Sequence, residues 1–175
     1  MKSRLLWMLA APAAIVSPGA YAEIYLSVEQ AQAFLFPGAS MTADFRTLTR
    51  AEADAIEKDS DENVRNLDLK LWRVSTGGWF IVDEVVGKHE FIPIALAINA
   101  DGTVKGIEIL EYRESFGGQV RDPAWRAQFT GKRHGDTLKL TEDIKNISGA
   151  TLSSKHITGG VKRLLSTYAL AIAPH

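Results

Sequence analysis

Between Leu67 and Glu114 the chain alternates short apolar runs with glycine-containing turns. The runs are LDLKLWRV, WFIVDEVV, FIPIALAIN and TVKGIEILEYRE, and the segments between them are STGG, GKHE and ADG. This pattern predicts antiparallel strands joined by hairpins, because each turn supplies residues that adopt tight-turn conformations. We therefore expect a meander of about four strands. Pro93 removes one backbone donor, so it should lie near the start of the third strand or at a bulge.

Two helices are predicted before the meander. Ser27 and Gln30 have the spacing of a capping box, and Thr49 and Glu52 repeat it. The first helix should end at the Pro37–Gly38 pair. Both helices precede the predicted strands in the chain.

Three further elements are predicted after the meander. Asp122, Pro123 and Gly131 are the expected cap, first residue and terminator of a short helix. The run DTLKLTEDIKNI is a candidate for one more strand. A last helix is predicted from apolar residues at helical spacing, which are Ile157, Val161, Leu164, Leu165, Tyr168 and Ile172.

Gly159 and Gly160 lie within this last helical segment. Together they cost the helix roughly 2 kcal/mol relative to alanine. We expect them to permit a close backbone approach to a neighbouring strand or to a flat ligand. The predicted architecture is a single α+β domain, in which N-terminal helices and a C-terminal helix pack an antiparallel β meander.

The first 22 residues have the layout of a secretory signal peptide. Two early cations, Lys2 and Arg4, precede an apolar run, and small residues flank Tyr21 before the expected cleavage after Ala22. The alternative is a retained membrane anchor, but the run is shorter than the roughly 20 residues that a spanning helix needs. We therefore expect a signal peptide at 1–22, a domain at 23–175 and a periplasmic location.

Composition excludes several function classes. The formal net charge is −1, and without a basic stripe there is no electrostatic reason to expect a nucleic acid partner. The chain has no cysteine, and therefore no disulfide, thiolate nucleophile, Fe–S ligand or covalent haem attachment site. Any redox chemistry must come from a cofactor that is held in another way.

The segment NISGATLSSKHITGG, residues 146–160, crowds hydroxyl groups around the start of the predicted last helix. A helix N-terminus presents unpaired N–H groups and the positive end of a dipole, which favour an anion such as phosphate. The alternative is that Ser148 or Thr151 only caps the helix and that the other hydroxyls are solvated. Physical reasoning alone leaves both interpretations open.

The sequence SGAT at residues 148–151, followed by LSS and a closing helix, resembles the flavinylation motif of the FMN-binding domain family. The family includes the extracytoplasmic FMN-carrying subunits of the Na⁺-pumping NADH:quinone oxidoreductase and of the Rnf complex. The resemblance implies that Thr151 is joined by a phosphoester to FMN, with Gly149 and Ala150 small enough to admit the phosphate. Ser148, Ser153 and Ser154 are then phosphate donors or caps.

The resemblance extends upstream and implies further site residues. ILEYRESFGGQV is similar to the glycine loop of the family, and WRAQFTGK to the helix before its motif. On this basis the glycine pair Gly117 and Gly118 lets the backbone reach the flavin. The preceding residues Glu111, Tyr112, Arg113 and Glu114 line the flavin pocket, although a solvated strand end explains the charged residues equally well. His156 is a weaker candidate for facing the flavin.

The sequence departs from the family pattern at one position. The family commonly has an aspartate three residues before the serine of its motif, where this chain has Lys145. Asp143 lies two residues further back and could take the role if the turn is longer. This departure keeps open a secreted binding or protein-interaction module of the same fold, with non-covalent flavin or none.

Other residues have simpler interpretations. The histidines His89, His134, His156 and His175 occupy no metal-ligand spacing. Trp72 and Trp79 are expected to form a cross-strand core pair. No arrangement of nucleophile, base and orienting residue is recognisable, so a hydrolase is not predicted.

The resemblance therefore implies an extracytoplasmic electron-transfer flavoprotein. Its flavin would be attached by a Mg²⁺-dependent FAD:protein FMN transferase, because a neutral threonine hydroxyl is a poor nucleophile. A membrane-bound reductase or a cytochrome would be its electron partner.

Overall fold

A computed structural model of the chain describes residues 23–24, 26–114 and 116–173. The predicted meander is confirmed as four consecutive antiparallel strands. They are β4 (Asp68–Val74), β5 (Trp79–Val86), β6 (Phe91–Ile98) and β7 (Val104–Ile109). The predicted signal peptide and His175 lie outside the described residues.

Four short strands complete the β structure of the described residues. β2 (Met41–Ala43) and β3 (Arg46–Thr47) both pair with β4, so the sheet order is β2-β4-β5-β6-β7 with β3 also on β4. β1 (Glu23–Ile24) pairs separately with β8 (Glu111–Tyr112). The sequence did not predict β1, β2 and β3, because two or three residues are too few to show alternation. β8 lies within the fourth predicted run, which the structure divides into β7 and β8.

β6 is buried on both faces, which explains its continuous apolar sequence. The isoleucine and leucine side chains of its even-numbered positions enter the larger core, whereas Ala95 and Ala97 enter the smaller one. Pro93 is the third residue of β6, near the start of the strand as predicted.

The two predicted N-terminal helices are confirmed. They are α1 (Val28–Leu35) and α2 (Arg50–Ser60), and each begins with a complete capping box. α1 contributes Ala31 and Leu35 to the smaller core, next to the alanines of β6. α2 contributes Ile56 to the larger core.

The last predicted helix is α4 (Thr151–Thr167), which continues into one π-helical turn at Tyr168–Ile172. Its predicted apolar residues belong to the larger core or, for Tyr168, pack against it. Gly160 faces Val85 of β5 so closely that a Cβ there would overlap the valine side chain. The predicted close approach to a strand is therefore confirmed at this glycine.

The short helix after the glycine loop is confirmed but is only one turn long. α3 (Pro123–Arg126) begins with the Asp122 carboxylate accepting from the Ala124 N–H at 2.9 Å. A 3₁₀ turn at Ala127–Phe129 follows it. Among the described residues, no helix has the length and apolar character required to cross a membrane.

The prediction of a further strand in DTLKLTEDIKNI is wrong. The described segment forms turns with one isolated bridge between Leu140 and Ile144, and Leu138 and Thr141 have positive φ angles of 43° and 68°. The Asp143 carboxylate accepts the N–H groups of Leu138 and Lys139 at 3.0 and 2.8 Å. Donors that a neighbouring strand would have taken are therefore satisfied locally.

The predicted cross-strand pair of Trp72 and Trp79 is also wrong. The register of β4 and β5 places Trp72 opposite Phe80, and Trp79 opposite Arg73. The two tryptophans consequently face opposite sides of the sheet, since neighbouring residues of a strand alternate. Trp72 packs against the smaller core and Trp79 against the larger one.

Candidate functional site

An open cleft of about 380 Å³ lies where three segments meet. These segments are the start of α4, the turn between β5 and β6, and the loop after β8. The lining residues are Lys88, His89, Glu114, Phe116, Gly149, Ala150, Thr151, Leu152 and Ser153. The volume lies within the range of roughly 300–1,000 Å³ that is typical of small-molecule sites.

The first turn of α4 forms one wall of this cleft. Ala150 is the N-cap residue, and no side-chain hydrogen bond caps the helix. The first helical bond runs from the Ser154 N–H to the Ala150 carbonyl at 2.9 Å. The expected alternative, in which Ser148 or Thr151 caps the helix, is therefore not what the structure shows. The cleft faces the positive end of the helix dipole, which favours an anion.

Thr151 is the first residue of α4 and is exposed in the cleft. The side-chain amide of Asn146 donates to the Thr151 hydroxyl oxygen, with Nδ2 and Oγ1 3.1 Å apart. Between them, Gly149 has a φ of +81° and no heavy atom within 4 Å of the place a Cβ would occupy. Glycine is thus favoured here by the backbone conformation and leaves the approach to Thr151 open.

The segment before the motif is fixed by two side chains from the region of α3. The Trp125 indole N–H donates to the Lys145 carbonyl at 2.7 Å, and the Gln128 side-chain oxygen accepts the Lys145 N–H at 2.8 Å. Trp125 is buried and packs edge-on against Phe129. Lys145 occupies the position of the family aspartate. Its backbone is therefore held in place, while the residue as a whole is exposed.

Asp143 does not line the cleft. Its carboxylate binds the Lys132 ammonium at 2.9 Å as well as the two N–H groups of its own turn. Burial raises the pKa of Asp143, but the hydrogen bonds from Lys139, Lys132 and Leu138 outweigh burial and hold that pKa below its ordinary value. The carboxylate therefore holds together the backbone of its own turn, through Leu138 and Lys139, and links that turn to Lys132.

Glu114 lines the cleft and is bound to the turn between β5 and β6. One carboxylate oxygen, Oε1, accepts the N–H groups of His89 and Glu90 at 2.6 and 3.1 Å. Burial raises the pKa of this carboxyl, but these backbone donors outweigh it and leave the pKa below its ordinary value. Glu114 therefore places a negative charge in the cleft and holds the β5–β6 turn against it.

The structure brings some of the predicted site residues together. Gly149, Ala150, Thr151 and Ser153 line the cleft, and Ser148 is exposed beside it. Gly117 lies against Tyr112, Ala150 and Ser153, where a Cβ would contact all three side chains. The predicted glycine loop and the SGAT motif are therefore neighbours in space.

Other predicted residues lie elsewhere. Ser154 is fully buried, and its hydroxyl donates to the Ala150 carbonyl at 2.9 Å. The Glu111 carboxylate pairs with Arg113 at 2.7 Å, and Gly118 lies near the Arg121 side chain. His156 lines a second cleft beside α4 together with Glu62 and Lys155, and its Nδ1 is buried without a hydrogen-bond partner in the described part of the chain.

Residues outside the predicted set also contribute to the site. Phe116 and Leu152 line the cleft with exposed fractions of 81% and 48%. Asn146 binds the Thr151 hydroxyl through its side-chain amide. Phe116 could have been identified from the sequence, because it directly precedes the predicted glycine pair Gly117 and Gly118. Within residues 23–24, 26–114 and 116–173, no group of three or more His, Asp or Glu side chains could hold a metal ion.

Comparison with known proteins identifies related sequences. Residues 87–166 match the sequence model of the FMN-binding domain. The chain is 33% identical over 86 aligned residues to one component of the Na⁺-translocating ferredoxin:NAD⁺ oxidoreductase complex of Acetobacterium woodii, covering 44% of this chain and 42% of that protein. It is 35% identical over 149 aligned residues to one component of the Na⁺-translocating NADH-quinone reductase of Vibrio anguillarum, covering 69% and 57%. The chain thus spans about half the length of these curated relatives.

FMN is the cofactor of this domain, and the residues of the cleft fit both of its ends. The uncapped first turn of α4 and the Lys88 side chain offer N–H groups and a positive charge to a phosphate. Phe116 and Leu152 offer apolar surface to a flat ring. Thr151 belongs to the first turn of α4 and is followed directly by Leu152, so both kinds of surface are present at the start of this helix.

Proposed function

We propose that this chain, which belongs to the FMN-binding domain family through residues 87–166, is an electron-transfer protein whose FMN is esterified to Thr151. One observation carries the proposal. The Thr151 hydroxyl is exposed at an uncapped helix N-terminus, inside a cleft large enough for a small-molecule cofactor. A phosphate joined to this oxygen lies within the favourable field of the helix.

The side chains of the cleft have distinct roles in this proposal. The first-turn N–H groups of α4 and the Lys88 ammonium bind the phosphate, while Phe116 and Leu152 cover the ring. Glu114 fixes the β5–β6 turn and supplies negative charge beside the redox group. The bound flavin supplies the electron-accepting and electron-donating chemistry, and the protein tunes and exposes it.

The proposed location is extracytoplasmic. The signal-peptide layout of residues 1–22 supports export, and covalent attachment retains a cofactor where a dissociated one is not readily replaced. Expression of the full-length chain followed by N-terminal sequencing of the periplasmic fraction tests this. We expect a mature protein that begins at Glu23, whereas an intact N-terminus in the cytoplasmic fraction would contradict export.

Two classes of partner follow from the proposal. A Mg²⁺-dependent FAD:protein FMN transferase attaches the flavin, because the threonine hydroxyl is a weak nucleophile. A membrane-bound reductase or a cytochrome exchanges electrons with it. The second class is supported by the relatives, which are named as subunits of Na⁺-translocating oxidoreductases.

Intact mass spectrometry tests the covalent linkage. The full-length chain is produced with and without an active transferase, and the exported product is weighed. We expect a gain of one FMN minus water that requires the transferase and is lost in Thr151→Val. Thr42→Val, at an exposed threonine of β2, is the matched control and should keep the added mass.

The same measurement addresses the alternative function. A wild-type chain that stays unmodified with active transferase contradicts the covalent proposal. If flavin then copurifies and is released by denaturation, the protein is a non-covalent flavin carrier. If no flavin is present, the binding or protein-interaction module of the same fold is favoured.

A further inference from the structure

We infer that Asn146 is a positioning residue for the esterification of Thr151, with its side-chain amide orienting the hydroxyl that becomes the ester oxygen. This inference rests on the proposed function. Its basis is the 3.1 Å hydrogen bond from Asn146 Nδ2 to Thr151 Oγ1, which links residues five apart in the sequence.

Asn146 is well placed for this role because the backbone on both sides of it is fixed. Trp125 and Gln128 bind the carbonyl and the N–H of the preceding residue, Lys145. The carbonyl of the following residue, Ile147, accepts the Ala150 N–H at 3.0 Å. The amide is thus presented to Thr151 from a turn whose geometry does not depend on Thr151.

The direction of the hydrogen bond determines what Asn146 can contribute. Its N–H occupies one lone pair of the Thr151 oxygen and restricts rotation about the Cα–Cβ bond of the side chain. The second lone pair and the O–H remain available to the reacting phosphate and to a base. Holding a nucleophile in one orientation raises its reaction rate by reducing the entropy lost on the way to the transition state.

The bond also assists the covalent step itself. The Thr151 oxygen forms a bond to the phosphorus of the FMN half of FAD, the phosphoanhydride bond breaks, and AMP leaves. The hydroxyl proton is released to solvent. As that proton departs, negative charge develops on the Thr151 oxygen, and a donor already placed on the oxygen stabilises it.

Neither neighbouring candidate can replace Asn146 in this role. The Asp143 carboxylate is engaged by Leu138, Lys139 and Lys132 in its own turn. Lys145 stands at the position of the family aspartate, yet it is the side chain of the following residue that contacts the hydroxyl. The chain therefore uses an uncharged donor at this oxygen.

Steady-state kinetics of flavin transfer test the inference. The apoprotein is produced from the full-length chain without transferase and is then incubated with purified transferase, FAD and Mg²⁺. Covalent flavin is followed by in-gel fluorescence and intact mass. For Asn146→Ala we expect kcat to fall roughly 10- to 100-fold, with the KM for the apoprotein unchanged. Asn66→Ala, in the loop before β4, is the control and should react like the wild type.

Asn146→Asp distinguishes two roles for this side chain. In one, an amide N–H orients the Thr151 oxygen by donating to it; in the other, the side chain acts as a base that accepts the hydroxyl proton. It has nearly the same shape, but an ionised carboxylate accepts and cannot donate. We expect it to be as slow as Asn146→Ala, and it also serves if the alanine variant does not fold. Wild-type kcat in Asn146→Ala, or a rate in Asn146→Asp that equals or exceeds the wild type, would overturn the inference. Failure of the wild type to react would instead contradict the proposed function.

Discussion

The hydroxyl oxygens of Tyr112 and Ser153 lie 3.0 Å apart in the protein interior and join β8 to the first turn of α4. The Tyr112 hydroxyl donates to the Phe116 carbonyl at 2.6 Å, which uses its single proton. Ser153 must therefore be the donor to Tyr112. Burial raises the pKa of Tyr112 above its ordinary value. The hydrogen bond from Ser153 lowers this pKa, but the negative charge of nearby Glu114 raises it further. A neutral tyrosine thus connects the glycine loop to the wall that carries Thr151.

Tyr112→Phe should weaken this connection. The substitution leaves the Ser153 hydroxyl and the Phe116 carbonyl without their partner, and we expect the free energy of unfolding to fall by about 1–2 kcal/mol. Urea denaturation measures it. Ser153→Ala alone and the double variant complete a cycle, in which the double variant should cost less than the two single losses combined. Strict additivity would show that the two hydroxyls act independently.

Gly160→Ala tests the contact between α4 and β5. A Cβ at this position overlaps the Val85 side chain, which is branched and has few alternative rotamers. We expect a loss of about 1–3 kcal/mol from overpacking, although alanine favours the helix.

Gly159→Ala is the matched control for Gly160→Ala. Its Cβ would meet the carboxylate of Glu62, the far end of a flexible side chain that can move away. We expect its stability to stay within about 1 kcal/mol of the wild type, or to rise through helix propensity. Thermal melting of both variants measures the contrast. Equal losses would show that the spacing of α4 and β5 does not depend on Gly160.

The meander and the last helix were predictable because their patterns repeat over many residues. Apolar runs alternate with turns in the meander, and apolar residues recur at helical spacing in α4. The capping boxes at Ser27 and Thr49 are local, so they survive folding unchanged. The extra strand predicted in DTLKLTEDIKNI failed for the converse reason. Alternation in a short run cannot show that Asp143 will take up the N–H groups a neighbour strand would need.

Asp143→Asn should destabilise the protein near neutral pH. The carboxylate receives two N–H groups and an ammonium, and its pKa is lowered in the folded protein, so its contribution is fully present above the ordinary aspartate pKa of about 4. We expect a loss of about 1–2 kcal/mol at pH 7.

The lowered pKa of Asp143 determines how its contribution to the free energy of unfolding depends on pH. Because the folded pKa lies below the unfolded one, the contribution of Asp143 is lost as pH falls from about 4 through the folded pKa. The stabilities of wild type and variant should therefore converge in acid and stay apart from pH 5 to 8. Urea titrations at several pH values measure this. Asp54→Asn, an exposed aspartate on α2, should change stability by less than about 0.5 kcal/mol throughout. A gap for Asp143→Asn that widens in acid would contradict the assignment.

The candidate site was predictable only in part. The motif identified Thr151, and the glycine pair identified the loop that meets it, because both are contiguous in the sequence. The sequence could not show which serine would reach the cleft. Neighbouring residues of a helix point in different directions, and here Ser153 lines the cleft whereas Ser154 is buried in the core. The hydrogen bonds of Asn146 and Glu114 required the structure. The sequence does not show that the Asn146 amide reaches the Thr151 hydroxyl, or that the Glu114 carboxylate accepts backbone N–H groups of the β5–β6 turn.

Glu114→Gln should make the flavin easier to reduce. Reduction adds negative charge, and the Glu114 carboxylate in the cleft opposes it at neutral pH, where its lowered pKa keeps it ionised. Both backbone N–H groups bind the same oxygen, Oε1, so a glutamine keeps that acceptor and the turn should be preserved. We expect the midpoint potential to rise by roughly 20–60 mV, equivalent to about 0.5–1.4 kcal/mol for one electron.

Spectroelectrochemical titration of the flavinylated protein measures this shift. Glu111→Gln is the matched control, because Glu111 pairs with Arg113 and does not line the cleft, and its shift should be smaller. The difference between wild type and Glu114→Gln should disappear only when the pH falls below the ordinary glutamate pKa of about 4.3, since the folded pKa is lower still. A shift to a more negative potential, or equal shifts in both variants, would show that the Glu114 charge does not act on the flavin, and the carboxylate would then be confined to holding the β5–β6 turn.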